Sequence, residues 1–326
     1  MRELASGIDA LYLSARPDIP SDFVARLEEG RAWAAELRRL APCLVGEEYL
    51  GITGYGWGKY RFCLEHPMAR IDFTESRHPP SVRIQPRAEY LHGHGPVQLL
   101  EDLRYLLEPE LGPLYFSVSR LDLFADVQGW SLSLDDAHRF LCRADARLTY
   151  EVGGTLTGFE FGTRKTKTLC ARIYDKTADV EVKGTEWWRD IWGERYVEGE
   201  PVYRVEFEIG RQGLVDFGID TPSHALEATG DLWRHATGEW LTHRCPTMDQ
   251  TRCRWPLSPP WLGVQQASLH DRAVGLVRIH ASRRQASIAR LLPGLTGYVA
   301  SLAALSEVED IDDAADLVGQ YLRTYE

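Results

Sequence analysis

Three segments of this chain alternate apolar and charged residues with a period of two, and this pattern constrains the fold more than any other feature. The segments are Ser119–Val127, Leu169–Lys176 and Val202–Ile209. Because successive side chains of a β-strand point to opposite faces of a sheet, each segment is predicted to be a strand with one apolar and one polar face. Such alternation is typical of antiparallel sheets that pack on a core with one face only.

The polar faces of these strands carry acids and bases, with few of the Ser, Thr and Gln residues that usually face solvent. They hold Arg120, Asp122, Phe124 and Asp126 on the first strand, Arg172, Tyr174 and Lys176 on the second, and Arg204, Glu206 and Glu208 on the third. For each strand alone, a polar face that is exposed to solvent explains the pattern well enough. Taken together, the carboxylates predict an oxygen-ligand site suited to Mg²⁺ or Mn²⁺. A tyrosine and a lysine beside such a metal indicate attack on a phosphodiester.

Strand-like segments dominate the chain up to about residue 220. Helical spacing of apolar residues interrupts them at Asp22–Leu40, Pro96–Leu107 and Ser133–Arg143. From about Pro222 the spacing is helical to the end of the sequence, apart from the Pro- and Trp-rich loop Arg252–Trp261. We therefore predict an α+β protein. A mostly antiparallel sheet domain with flanking helices spans residues 1–220. A helical region spans residues 221–326, and DNA binding and dimerisation are both open as its role.

The distribution of charge decides whether this acidic chain is compatible with a DNA partner. The formal net charge is −11, from 37 basic and 48 acidic residues, and an acidic protein is a poor default binder of nucleic acid. However, residues 301–326 alone carry seven acidic residues against Arg323, and residues 265–290 carry five arginines against Asp271. Net charge therefore does not exclude a local site for a polyanion.

Other features of the sequence favour a cytoplasmic protein without a membrane partner. No apolar run approaches the roughly 18 residues of a membrane helix, and the first residues lack the apolar core of a secretory signal. The six cysteines are scattered, and only Cys245 and Cys253 lie near each other, so we expect reduced thiols and no zinc site.

Two motifs are interpreted as structural. The glycine-rich stretch Gly51–Gly58 is not followed by Lys-Ser/Thr, so it is not a phosphate-binding loop, and no nucleotide cofactor is expected. The pair His92-Gly-His94 contains a glycine and runs into Gly95-Pro96, so we predict a turn that binds no metal.

Three sequence blocks in order resemble the Rep_trans family of replication initiation factors, which occur on rolling-circle plasmids, filamentous phages and some conjugative elements. The blocks are Ser119–Asp126, Gly158–Thr166 leading into Arg172–Lys176, and Tyr203–Glu208, and with the opening strand Ile8–Ser14 they cover roughly residues 8–220. The resemblance implies an enzyme that nicks one strand at a replication origin and rejoins it. A tyrosine forms a 5′-phosphotyrosine link and releases a 3′-OH that primes synthesis.

The resemblance also implies roles for individual residues. Tyr174 matches the position of the nucleophile. Asp122 and Glu206, with Asp126 less firmly, would hold Mg²⁺ or Mn²⁺, while Glu160 and Glu208 are weaker ligand candidates. Lys176 or Arg172 would offset charge on the phosphate. Candidate contacts to single-stranded or melted origin DNA are Arg120, Arg164, Lys165, Lys167 and Arg204. A host helicase and a homodimer are further expected partners, in the cytoplasm of a bacterium.

Two alternatives remain open on the sequence alone. The first is a DNA-binding replication or regulatory protein of a phage or plasmid that keeps the fold without nicking. The second is a structural or interaction protein whose polar sheet face only meets solvent, and the net charge of −11 is the strongest point in its favour.

Overall fold

The computed structural model describes residues 1–164 and 168–269, together with Asp313. Residues Met1–Leu276 form one compact unit and residues Val277–Glu326 form a second. The helices and strands with described bounds all belong to the first unit. The arginine-rich and acidic stretches noted near the C-terminus lie outside the described residues.

A large antiparallel sheet is the frame of this unit. Its strands, with the short strands of a second sheet, are β1 (Arg2–Ala15), β2 (Ala41–Val45), β3 (Glu48–Ile52), β4 (Phe62–Glu65), β5 (Ala69–Phe73), β6 (Val82–Pro86), β7 (Ser117–Gln128), β8 (Phe140–Cys142), β9 (Arg147–Val152), β10 (Thr155–Phe161), β11 (Leu169–Asp175), β12 (Val202–Gly210) and β13 (Leu241–His243). The order in the large sheet is β2-β3-β4-β5-β6-β1-β7-β12-β11-β10-β9, and β8 pairs with β13 separately.

Helices flank the sheet, as predicted for the α+β class. They are α1 (Ser21–Leu37), α2 (Ala88–Leu111), α3 (Lys176–Lys183), α4 (Trp187–Trp192), α5 (Arg211–Asp216), α6 (Pro222–Glu227), α7 (Thr229–His235) and α8 (Pro259–Gln265). Short 3₁₀ turns occur at Leu134–His138, Gly193–Arg195 and Arg252–Arg254, and one π turn at Ala236–Trp240.

The predicted division of β7, β11 and β12 into an apolar and a polar face is confirmed by their burial. Leu121, Leu123 and Ala125 of β7 lie fully buried in the main core, as do Val205 and Phe207 of β12. The alternate residues of both strands point to the other face. These strands therefore bury one face in the core and use the other for polar contacts.

The helical pattern predicted from about Pro222 onward is wrong at Leu241–His243, which form β13. Two other local predictions were wrong. The sequence around His92 and His94 is helical within α2, and the backbone departs from helical geometry only at Gly95, beyond the pair. The segment predicted as one helix over Ser133–Arg143 is a single 3₁₀ turn followed by β8. In both segments the spacing of apolar residues was compatible with more than one secondary structure, and tertiary packing selected between them.

The elements after residue 220 pack on the same core as the sheet. Trp233 of α7 meets Phe207 edge to face at 5.4 Å between ring centroids. The indole of Trp233 donates to the carbonyl of Val264 at 3.0 Å, and that of Trp261 donates to the carbonyl of Thr237 at 2.9 Å. These contacts join residues that the sequence analysis assigned to two regions, while the expected roles of the second region remain predictions.

Within the described part of the chain, no helix is both long enough and apolar enough to cross a membrane.

The buried position of Trp261 generates a test of this packing. We expect Trp261→Ala to lower the free energy of unfolding by about 3–5 kcal/mol, because it leaves a cavity and removes a buried hydrogen bond. Urea unfolding followed by circular dichroism measures the change. The neighbouring Leu262 is 44% exposed, and Leu262→Ala is the control. Equal, small effects of both substitutions would contradict the packing of α8 on the core.

Candidate active site

The strand register brings the polar-face residues together. Residues directly opposite each other in an antiparallel pair share a face. Between β11 and β12, Arg172 lies opposite Glu206 and Tyr174 lies opposite Arg204. Between β12 and β7, Glu208 lies opposite Asp122 and Arg204 lies opposite Asp126. The predicted convergence of these side chains on three adjacent strands is therefore present in the fold.

Tyr174 stands on the polar face and contacts a carboxylate directly. Its hydroxyl donates a hydrogen bond to Glu206 Oε2 at 3.1 Å, and Arg172 forms an ion pair with the other oxygen of Glu206. Burial and the charge of Glu206 raise the pKa of Tyr174 well above its usual value of 10. The phenol is therefore protonated at neutral pH, and Glu206 is placed to accept its proton.

A cavity of about 300 Å³ opens beside the Tyr174 ring. Tyr150, Phe159, Asp179 and Lys183 are among its lining residues. Gly158 lies opposite Tyr174 in the β10–β11 pair, and a Cβ there would stand 2.8 Å from the carbonyl oxygen of Ile173 and 2.9 Å from Tyr174 Cβ. Only glycine at this position lets the two strands keep Tyr174 where it is.

A group of carboxylates and arginines adjoins Tyr174 on β7 and β12. Arg120 pairs with Asp122 and, at 2.9 Å, with Glu208. Burial, with the charges of Glu206 and Glu208, raises the pKa of Asp122 to about 7, although the Arg120 guanidinium opposes the shift. Arg164, half exposed, places its Nε 2.8 Å from Glu208 Oε2. The carboxylates are thus close enough to repel one another.

The other end of the polar face is closed by α3 and α4. Arg204 is fully buried, with its guanidinium packed against the rings of Phe124 and Trp188, 4.1 and 4.0 Å from their centroids. It donates to both oxygens of Asp126 at 2.7 and 2.8 Å, and Trp192 donates to Asp126 at 2.8 Å. A phosphate contact by Arg204 and metal ligation by Asp126 do not fit this arrangement, since neither group is accessible.

Sequence reasoning missed Asp9 and His92. Asp9 lies at a register shift of β1 between Ile8 and Ala10, and its carboxylate accepts from Arg204 Nη1 at 2.7 Å. His92 Nε2 lies 3.3 Å from the same carboxylate oxygen. Burial acts against ionisation, yet Arg204 and His92 hold the pKa of Asp9 below its usual range. No alternation pattern signals Asp9, because a bulge breaks the period of two.

The remaining predicted residues have mixed placements. Lys176 is the first residue of α3 and is buried, with Nζ 2.8 Å from Asp179 and 5.8 Å from the centre of the Tyr174 ring. Burial and the charge of Arg204 lower its pKa. Glu160 accepts a hydrogen bond from the Tyr150 hydroxyl at 2.9 Å. Lys165 and Lys167 lie outside the described residues.

The donor set limits how a metal ion would be held. Among residues 1–164 and 168–269, no three His, Cys, Asp or Glu side chains form a cluster that would hold an ion by themselves. Asp122 and Glu206 are the carboxylates that would hold a hard cation. Burial is the main cause of the raised pKa of Asp122, and the repulsion from Glu206 that adds to it is what a dication would relieve. Mg²⁺ usually takes one or two protein carboxylates and completes its shell with water and phosphate oxygens.

Comparison with solved structures shows the fold. The chain is similar to the structure of a rolling circle replication initiator protein from Geobacillus stearothermophilus, with a TM-score of 0.50 and 14% sequence identity. The similarity covers 82% of this chain and 96% of that chain. The α+β architecture of a large antiparallel sheet with flanking helices is therefore shared with that initiator. No protein-family model and no curated protein sequence matches the chain.

The buried pair Arg204–Asp126 generates a stability prediction. Asp126→Asn removes a carboxylate that satisfies a fully buried guanidinium, and we expect a loss of about 3 kcal/mol in the free energy of unfolding. Denaturant titration measures it. Asp145 is exposed, so Asp145→Asn provides the control, with an expected change below about 0.5 kcal/mol. A similarly small change for Asp126→Asn would show that Arg204 does not depend on this partner.

Proposed function

We propose that this protein is a DNA nicking–joining enzyme that initiates rolling-circle replication. The observation that carries the proposal is the Tyr174 hydroxyl, which lies on the polar sheet face, beside a cavity, in a hydrogen bond to Glu206. The fold shared with a rolling circle replication initiator supports the assignment, as does the sequence resemblance around Tyr174. Its substrate would be single-stranded or melted origin DNA in the bacterial cytoplasm.

The proposed reaction is a transesterification. The Tyr174 oxygen attacks a backbone phosphorus while its proton passes to Glu206, 3.1 Å away. The bond between phosphorus and the 3′ oxygen breaks, and that oxygen takes up a proton to leave as a 3′-OH. The 5′ end stays linked to Tyr174 as a phosphodiester, so attack by a 3′-OH on the linkage rejoins the strand. No bond energy is lost to water in either direction.

Two arginines are positioned to oppose the negative charge of the reacting phosphate. Arg172 covers Glu206 from the open side of the sheet and is partly exposed. Arg120 covers Asp122 in the same way. When DNA enters, each guanidinium has a phosphate oxygen available as a further partner, and fixed cations of this kind stabilise developing charge at a reacting centre. Lys176, directed at Asp179, would act on the Tyr174 ring rather than on phosphate.

A divalent ion would be held by Asp122 and Glu206 together with phosphate oxygens. When bound, it would polarise the scissile phosphate. Asp126 has no part in this proposal because the groups that bind its oxygens, Arg204 and Trp192, are themselves buried. Arg120, which binds both oxygens of Asp122, is 21% exposed and can turn to a phosphate oxygen instead. Recruitment of a host helicase and formation of a homodimer remain parts of the proposal that the described contacts do not address.

The nucleophile assignment is tested by covalent capture. The protein is incubated with labelled single-stranded DNA from the origin region of its element and Mn²⁺, then resolved by denaturing electrophoresis. We expect an adduct that is lost in Tyr174→Phe and formed about 10²- to 10⁴-fold more slowly in Glu206→Gln. Tyr115 is 87% exposed, and Tyr115→Phe is the control that should react normally. Loss of the adduct in Tyr150→Phe instead would assign the reaction to the second tyrosine of the cavity.

Capture of DNA without any adduct would favour the alternative function. The protein would then be a DNA-binding replication or regulatory protein in which the arginine–carboxylate pairs of the polar face serve only the fold. Such binding should weaken steeply with salt, because it would depend on phosphate contacts.

The raised pKa of Asp122 predicts how Mn²⁺ binding depends on pH. Below the pKa of about 7 the Asp122 carboxyl is protonated in the folded protein, and a proton must leave before a metal binds. We expect Mn²⁺ affinity, measured by calorimetry, to rise about tenfold per pH unit up to pH 7 and to level off above it. Asp122→Asn should bind weakly at every pH, and Asp145→Asn should follow the parent. A flat profile in the parent would exclude Asp122 as a ligand.

A further inference from the structure

The glycine-rich stretch between β3 and β4 presents a large aromatic side chain to solvent. Trp57 is 58% exposed, and its backbone is held by paired hydrogen bonds to Tyr60 of 2.8 and 3.0 Å. A Cβ on Gly56 would stand 2.5 Å from the carbonyl oxygen of Tyr60, so glycine is required for this tight turn. The loop is therefore built to hold Trp57 outward, although burying an indole would stabilise the protein more.

One face of the Trp57 ring is backed by a guanidinium. Arg70 lies 5.4 Å from the ring centroid and is itself fixed by Asp72, at 2.9 Å from Nε to Oδ1. The indole thus has a fixed support on one side. A flat, supported and exposed ring is the arrangement on which unpaired bases stack in single-strand binding proteins.

Arg70 and Asp72 belong to the same sheet face as the candidate active site. The other residues of β5, including Ile71 and Phe73, point into the core. Along the opposite face, Asp72 lies opposite Arg83 of β6, and Arg83 lies opposite Ser14 of β1. In the next strand pair, Tyr12 of β1 lies opposite Arg120 of β7. One polar face therefore runs without interruption from Tyr174 to Arg70.

Cations stand over aromatic rings along this face. The Arg120 guanidinium lies 4.9 Å from the centre of the Tyr12 ring, and the Arg83 guanidinium lies 4.5 Å from that of Tyr60. Burial raises the pKa of the Tyr60 hydroxyl, while the nearby charges of Arg83 and Arg16 act against that shift. Alternating guanidinium and aromatic groups suit a chain of phosphates and bases.

The end of the face near Trp57 carries excess positive charge. We name it the distal patch, and its residues are Arg16, Trp57, Lys59, Arg70, Asp72 and Arg83. Among these residues the carboxylate is Asp72, which is fully buried between Arg70 and Arg83. Glu65, directly opposite Arg70 on β4, is neutralised by its ion pair with Arg87. Arg16 is exposed and donates only to backbone carbonyls of His78 and Pro79. Next to Tyr174, by contrast, arginines and carboxylates balance. The distal patch is therefore complementary to a polyanion.

The distance between the distal patch and Tyr174 sets the length of single-stranded DNA that would reach both. β5 is five strands away from β11 in the sheet order, which at about 4.8 Å per strand is roughly 24 Å. A stacked nucleic-acid strand rises about 3.4 Å per nucleotide, so about seven nucleotides span the distance.

We infer that the distal patch is a second contact site for single-stranded DNA, in which an unpaired base stacks on Trp57 while Arg16 and Lys59 contact phosphates about seven nucleotides from the strand held at Tyr174. The inference deepens the proposed function and rests on it, since it specifies how far along the unpaired strand the protein extends its grip.

The test measures affinity without nicking. Labelled oligothymidines of about 4 and about 15 nucleotides are titrated by fluorescence anisotropy, without metal, on the Tyr174→Phe background. Adding Trp57→Ala should raise the Kd for the longer strand about 5- to 150-fold, as for the loss of one stacked base, and leave the shorter strand unaffected. Trp57→Phe should retain most of the affinity, and Tyr115→Ala should retain all of it. Arg16→Gln should reduce the salt dependence, log K against log salt, by about 0.7.

Several outcomes would overturn the inference. An unchanged Kd for the longer strand in Trp57→Ala would do so, and so would an equal loss for the shorter strand or for duplex DNA of the same sequence. The proposed nicking activity can fail independently of this inference. If long-strand binding depends on Trp57 but no covalent adduct forms at Tyr174, the second DNA contact site is supported and the nicking activity is rejected. An adduct with no role for Trp57 would do the reverse.

Discussion

A fully buried guanidinium holds the centre of this protein together. Arg204 of β12 binds Asp126 of β7 and Asp9 of β1, and two aromatic rings enclose it. Removing a charge from water is costly unless its hydrogen bonds are replaced with good geometry. Arg204 therefore requires three strands and the α4 tryptophans to be in register at once. Because the register is fixed at Arg204, the neighbouring residues of each strand are fixed as well. This places the Tyr174 hydroxyl within hydrogen-bond distance of Glu206.

The polar face is divided into a closed part and an open part by this arrangement. Around Arg204, the helices α3 and α4 exclude water, and the charged groups serve the fold. Two residues further along β12, Glu206 is also buried, but it binds Tyr174 and Arg172, and Arg172 is 35% exposed. The same type of arginine–carboxylate pair thus has a fully buried arginine at one end and a partly exposed arginine at the other. The difference between the two pairs comes from whether helices α3 and α4 cover them, and not from the types of residue.

Much of the polar face was predictable from the alternation of apolar and charged residues along three strands. The alternation in Ser119–Val127, Leu169–Lys176 and Val202–Ile209 identified the strands, and it placed Asp122, Tyr174 and Glu206 on one face. It did not show that Arg204 and Asp126 are covered, because their cover comes from Trp188 and Trp192, some 60 residues after β7. Asp9 was invisible to it, since a bulge changes the face of a side chain without any mark in composition. His92 was misread because a glycine beside it is equally compatible with a turn and with a helix that bends.

The position of β1 has a consequence for how the chain is made. β1 is a central strand of the sheet, and its longest pairing is with β7, whose residues follow about a hundred positions later. Pairings between distant segments slow folding, because the intervening loop must close before any contact forms. Until β7 is synthesised, the apolar residues Leu11 and Leu13 have no strand on that side to cover them. At ordinary rates of translation, about 5–20 residues per second, the nascent chain therefore exposes an unpaired, aggregation-prone strand edge for several seconds. Chaperone capture during synthesis would matter more for this protein than for one whose first strands pair as a local hairpin.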